Sequence, residues 1–194
     1  MGDFFVSPNY RLTQVGGADI AKKIDIFEDQ MNGWLLTQAR MLASAHNPGE
    51  QHAGYAILAL CFVYVEGIAC FIKGESSNHK SQEFFQFGME QIFFDLDKYP
   101  RKILDMFSNE FYGQARSGLL HQGLTRGKIA ITKNARNALC ASYDLQANIN
   151  QIVVDPWLFL NYVEKHFSAY LSLLRNPREE SKRTNFEKWF DQRA

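Results

Sequence analysis

The feature that most constrains this chain is an apolar stretch of 20 residues, Ala53 to Ile72, which contains a single charge, Glu66. A segment of this length and composition is long enough to cross a bilayer as a helix. However, a carboxylate well inside the stretch is costly in a membrane, no basic cluster flanks it, and other amphipathic segments are available to cover it. The sequence therefore predicts no membrane span but a central helix, from about Gln51 to Lys73, buried on most sides.

Composition limits the classes of protein to consider. Of the 194 residues, 46% are apolar and 22% are charged, which indicates one folded domain over residues 1–194 rather than a disordered chain. The formal net charge is zero, which argues against a protein that wraps long nucleic acid, because phosphate neutralisation requires a basic excess. Any contact with RNA is therefore expected to be local.

The cysteines and the N-terminus indicate the compartment. Cys61, Cys70 and Cys140 form no closely spaced pair, so we expect reduced, structural thiols and neither a disulfide framework nor a zinc knuckle. The first residues lack the basic start and long apolar run of a signal peptide, and we therefore expect a cytoplasmic protein.

Hydrophobic periodicity predicts a mostly helical protein. Further helices are expected over about 18–45, 81–94, 110–122 and 157–175, with a last short helix in the tail 178–194. We expect Ser108 or Asn109 to cap the helix over 110–122, and Asp155-Pro156 to cap the helix that follows. Short β-compatible runs at 128–132, 139–143 and 149–154 predict a small antiparallel sheet or hairpin, in a β-rich insert over about 124–155.

One segment of the helix over 110–122, Arg116-Ser-Gly-Leu-Leu-His121, carries residues suited to phosphodiester chemistry. On a regular helical wheel, Phe111, Ala115 and Leu119 form a core face, whereas Gly113, Ser117 and His121 form a second, polar face. An arginine offers a permanent, bidentate donor to a phosphate. A histidine titrates near neutrality and can move a proton at a ribose hydroxyl or a leaving oxygen, without a metal.

Together with the preceding Phe111-Tyr112 and the following Gln122-Gly123, this string resembles the signature of HEPN-type helical proteins. The resemblance covers about residues 20–125. It implies a helical bundle that forms a homodimer through the motif helix and acts as a metal-independent endoribonuclease, often a toxin or defence protein. By that resemblance Arg116 would bind the scissile phosphate and His121 would transfer the proton. Ser117 stands where active members often have Asn, Asp or His.

The residues around the motif give further expectations. A buried carboxylate without a partner is too costly to remain ionised, so we predict that Glu66 meets Arg116 or, as the second choice, His121. This contact would either orient Arg116 for catalysis or act only as a salt bridge in the packing. Tyr112, Arg126 and Lys128 would line a short RNA groove or serve as ordinary surface residues.

No cofactor is expected, and no metal, because His46 and His52 lack matching ligands at a suitable spacing. Candidate partners are a second copy of the chain, RNA and an antitoxin-like protein. Three functions are compatible with these residues. They are a metal-independent endoribonuclease, a non-catalytic HEPN-like module that binds a nucleotide, RNA or protein, and a structural helical dimer.

Overall fold

The computed structural model describes residues 3–44, 53–93, 109–118, 127–146 and 148–193. The described part of the chain is mostly helical with a small sheet, as the sequence predicts. Its helices are α1 (Ile20–Met31), α2 (Thr37–Ser44), α3 (Gly54–Lys73), α4 (Ser81–Phe93), the motif helix (Phe111–Arg116), α5 (Pro156–Arg175) and α6 (Glu180–Arg193). Its strands are β1 (Ile129–Ile131), β2 (Leu139–Tyr143) and β3 (Ile149–Val154).

Local sequence signals fix where several helices begin and end. The side chain of Asp19 accepts the backbone N–H of Lys22 at the start of α1. Gly74, with φ +70°, ends α3 in the left-handed conformation that glycine adopts without steric cost. A π-helical segment, Asn32–Leu36, joins α1 to α2, so the single helix predicted over 18–45 is one helical run with wider turns at its centre.

The apolar helix α3 occupies the centre of the fold, as predicted. It packs against α2, α4, α5 and α6. By length and composition α3 is also apolar enough to cross a membrane. However, 56% of its most apolar 18-residue stretch is buried inside the protein. Its buried face carries large side chains that contact aromatic rings of other helices, including Phe62 against Phe85, Phe111 and Phe159. This burial is typical of a core helix.

The sheet differs from the predicted antiparallel arrangement. Its strand order is β1-β3-β2, with β3 antiparallel to β2 but parallel to β1. The connection between β1 and β2 passes across the end of β3, where the side chain of Asp155 accepts the N–H of Ala135 and the backbone N–H of Asp155 donates to Ala138. The prediction of a purely antiparallel sheet is wrong because local strand signals do not determine which strand takes the central position.

The sheet packs on the same core as the helices. Buried side chains of Ile129, Ile152 and Val154 belong to the main hydrophobic cluster, which also contains residues of α1, α3 and α5. Gln114 of the motif helix accepts the backbone N–H of Lys128 just before β1. This contact places the sheet directly beside the motif helix.

Candidate functional site

The motif helix has π-helical geometry rather than the predicted regular α geometry. Its wider turn is seen where the N–H of Ser117 donates to the carbonyl of Tyr112, five residues back. Phe111 and Ala115 are buried, as the wheel predicts, whereas Gly113 is exposed. π-Helical turns are uncommon and frequently occur at functional sites.

The predicted cap of the motif helix is not seen at Asn109. The side chain of Asn109 instead accepts hydrogen bonds from Gln82, at 2.7 Å, and from Gln86, both on α4. Residue 109 is already helical, and Glu110, the residue directly before the motif helix, provides no side-chain cap. Asn109 thus joins the motif helix to α4. The other predicted cap, Ser108, lies outside the described residues.

Glu66 meets Arg116, as predicted. Nη2 of Arg116 donates to Oε2 of Glu66 over 2.6 Å, and the side chains are 14% and 16% exposed. Ser77 donates its hydroxyl to the other carboxylate oxygen, Oε1, at 2.9 Å. Both oxygens of Glu66 therefore have partners. The carboxylate is fixed from two sides and in turn fixes the guanidinium.

The ion pair borders a cleft of about 270 Å³. The lining residues come from α3, the loop after it and the motif helix: Phe62, Val63, Glu66, Gly67, Cys70, Ser77 and Arg116. Nε of Arg116 is buried without a hydrogen-bond partner in the described part of the chain. A guanidinium has five N–H donors. Among the described residues, the acceptor that Arg116 has is Glu66, which it reaches through Nη2.

Two other predicted site residues occupy different places around the motif helix. The ring centroid of Tyr112 lies 5.3 Å from Cζ of Arg116, which is a cation–π contact. Tyr112 also borders a second, polar cleft that includes His79 and Lys80. Lys128 does not line the cleft of Arg116. Its ammonium donates to the carbonyl of Ile149, at the start of the central strand β3, and it borders a separate cleft.

The other predicted site residues are Ser117, His121 and Arg126. Ser117 is half-buried and directly follows Arg116. His121 and Arg126 lie outside the described residues, as do His46 and His52. Within the ranges that the structure describes, no group of three or more His, Cys, Asp or Glu side chains is arranged so that it could hold a metal ion.

Sequence reasoning missed Ser77. This residue lies in a polar loop, and nothing in its sequence context distinguishes it from neighbouring Ser76. The cysteines inside α3 are free, and burial raises the pKa of the Cys61 thiol. The Cys70 thiol donates to the carbonyl of Glu66 at 3.5 Å, within sulfur hydrogen-bond range.

A second polar contact in the core was also missed. The hydroxyl of Tyr64 lies 2.8 Å from Nδ1 of His166, and burial lowers the pKa of His166 to about 4. The hydroxyl of Tyr170 is buried without a partner in the described residues, and burial raises its pKa. His166 is thus neutral at pH 7 and joins α5 to α3. A lone histidine in an apolar helical stripe gives no signal of such a partner.

No protein-family model, curated protein or solved structure matches this chain. The candidate site therefore rests on its own geometry and chemistry.

Proposed function

We propose that this chain is a HEPN-like helical protein that acts in the cytoplasm as a metal-independent endoribonuclease and forms a homodimer through the motif helix. The observation that carries the proposal is the fixed guanidinium of Arg116, held by Glu66 at the side of a cleft. Glu66 is itself held by Ser77. An arginine positioned in this way needs little reorganisation to bind a phosphate.

The chemistry assigned to the site is transfer within the RNA backbone. Free donors of Arg116 bind a non-bridging oxygen of the scissile phosphate and stabilise the charge that develops there. His121 accepts the proton of the ribose 2′-hydroxyl as its oxygen attacks phosphorus. The P–O5′ bond breaks, and the histidine of the second copy gives a proton to the departing 5′-oxygen. This reaction yields a 2′,3′-cyclic phosphate and a 5′-hydroxyl.

A second candidate function is a non-catalytic module of the same type, which binds a nucleotide, RNA or a protein such as an antitoxin. The low exposure of Arg116 and its neutralisation by Glu66 favour this candidate. A paired arginine attracts a phosphate less strongly than a free one, because the neighbouring carboxylate reduces the positive potential. Both candidates use the same cleft, but only the first requires His121.

The deciding experiment is RNA cleavage in EDTA by the purified wild type and three variants. We expect cleavage by the wild type and by the control Arg136→Ala, which removes an exposed arginine from the loop between β1 and β2. Arg116→Ala and His121→Ala should lose at least 100-fold in rate, since each group contributes about 10²–10⁴ in such reactions. Sedimentation of the same samples establishes whether the homodimer forms.

Intact wild-type dimer that cleaves no RNA would overturn the enzymatic proposal. In that case the binding module makes a separate prediction. Single-stranded RNA or a nucleotide should bind more weakly to Arg116→Ala than to the wild type, whereas His121→Ala should leave binding and fold unchanged.

A further inference from the structure

Two adjoining cavities, neither of which is lined by Arg116, share walls formed by α1, the π-helical segment and α6. The smaller one also contacts N-terminal residues between Phe5 and Val15, and the larger one also contacts α3. Their volumes are about 170 and 300 Å³, and both are lined by Gln30, Trp34 and Arg193. The smaller is otherwise lined by Phe5, Val6, Val15, Ile26 and Phe190. The larger is otherwise lined by Met31, Leu35, Val63, Gly67, Cys70, Phe71 and Trp189. The surroundings are apolar and aromatic, with one cation.

That cation, Arg193, has no carboxylate partner among the described residues. Four other arginines each pair with a carboxylate: Arg11, Arg40, Arg116 and Arg175. The nearby Asp191 is paired with Lys23. Cζ of Arg193 instead lies 5.4 Å from the ring centroid of Phe71. Although Arg193 keeps solvent-exposed area, burial of its guanidinium lowers its pKa. A partly desolvated, unpaired cation is complementary to an anion.

The walls of these cavities are suited to a flat, apolar group. Trp34 is 48% exposed although it lies beside the core, and it belongs to the π-helical segment that interrupts the first helix. Such segments frequently occur at functional sites. Gly67 faces open space, since nothing lies within 4 Å of where its Cβ would be. The larger cavity is at the lower end of the roughly 300–1,000 Å³ typical of small-molecule sites.

We propose that these cavities bind a small molecule with a flat apolar body and one anionic group, which is a carboxylate or a phosphate. The body contacts Trp34 and the apolar walls, and the anion accepts hydrogen bonds from Arg193. This site goes beyond the proposed ribonuclease activity. It shares Val63, Gly67 and Cys70 with the cleft of Arg116, but its charge comes from a different arginine.

The test is calorimetric titration of the full chain with 1-naphthoate, 1-naphthyl phosphate and the neutral 1-naphthalenemethanol. We expect saturable 1:1 binding of at least one anion, and the stronger of the two identifies the preferred group. The neutral compound should bind at least about tenfold more weakly than the preferred anion, because it cannot form charge-assisted hydrogen bonds. Equal binding of all three compounds, or binding of none, would overturn the proposal.

Two variants and one control variant locate the site. Arg193→Gln should weaken anion binding about tenfold, whereas Arg178→Gln, which removes an exposed arginine before α6, should leave it unchanged. Gly67→Leu should reduce binding of all three compounds because its side chain fills the open space of the larger cavity. Circular dichroism checks that each variant is folded. Anion binding that is the same in Arg193→Gln and Arg178→Gln would contradict the assignment, as would unaltered binding by folded Gly67→Leu.

Discussion

Arg116 and Glu66, 50 positions apart in the chain, join the motif helix to the central helix through a contact of 2.6 Å between Nη2 and Oε2. Both side chains are largely shielded from water. The contact therefore has a structural consequence that is separate from any activity of the site.

Removing one member of this pair should destabilise the fold. Glu66→Ala leaves a shielded guanidinium without its carboxylate, and we expect a loss of about 2–3 kcal/mol in the free energy of unfolding, below the value for a fully buried pair. The double variant Glu66→Gln/Arg116→Met should recover part of this loss, because neither charge remains. Urea denaturation of Glu66→Gln, Arg116→Met and the double variant measures the coupling free energy. A loss in the double variant equal to the sum of the two single losses would contradict the direct interaction.

Burial of His166 should make stability depend on pH. Its pKa is about 4 in the folded protein, whereas an unfolded histidine has a pKa of 6.5. The contribution of His166 to the free energy of unfolding is fully present above pH 6.5. As pH falls from 6.5 to 4, the unfolded chain takes up the proton first, so this contribution is lost over that range. The expected loss is about 2–3 kcal/mol at pH 4.

The measurement is urea denaturation at pH 7.5, 6, 5 and 4 for the wild type and His166→Gln. The groups facing His166 from α3 and from its own helix are Tyr64 and Tyr170, both neutral throughout this range because burial raises their pKa. Carboxylates also titrate in this pH range, but equally in both proteins. One example is Asp29: burial acts to raise its pKa, but hydrogen bonds from Ser7 and Asn9 lower it below the ordinary value. The difference between the two plots of unfolding free energy against pH gives the contribution of His166. Plots with the same slope for the wild type and His166→Gln would refute the prediction.

Two helical glycines should respond to alanine in opposite ways. Gly67→Ala should stabilise the protein by about 0.5–1 kcal/mol, since open space surrounds the new methyl group and alanine favours the helix. Gly88→Ala should destabilise it by about 2 kcal/mol or more, because a Cβ at Gly88 would lie 2.1 Å from the carbonyl oxygen of Val65. Thermal unfolding of the two variants tests the close packing of α4 on α3.

The cap of α5 should be important for both the helix and the sheet. Asp155 is 1% exposed, and its Oδ1 accepts the N–H groups of Trp157 and Leu158, while Oδ2 accepts that of Ala135. Asp155→Ala should cost about 2 kcal/mol, from the lost cap and from an unpaired loop N–H. Asp155→Asn retains the helix cap and should cost less. Chemical denaturation ranks the two, and equal losses would argue against the cap.

Several features were predictable from the sequence because they depend on local patterns. The apolar run identified α3 as the central helix, and the β-compatible runs located all three strands to within a residue. Asp155-Pro156 indicated the start of α5. The pairing of Glu66 with Arg116 followed from the cost of an unpaired carboxylate in an apolar stretch, which holds whatever the exact fold.

Other features were decided by the tertiary structure. The wider turn of the motif helix and the central position of β3 depend on how distant segments pack, which no local propensity encodes. Ser77, His166 and Arg193 became notable only through neighbours brought from elsewhere in the chain, as polar partners or as the walls of a cavity. Sequence periodicity specifies which face of a helix or strand is buried. The three-dimensional packing determines which residues from other elements contact that face.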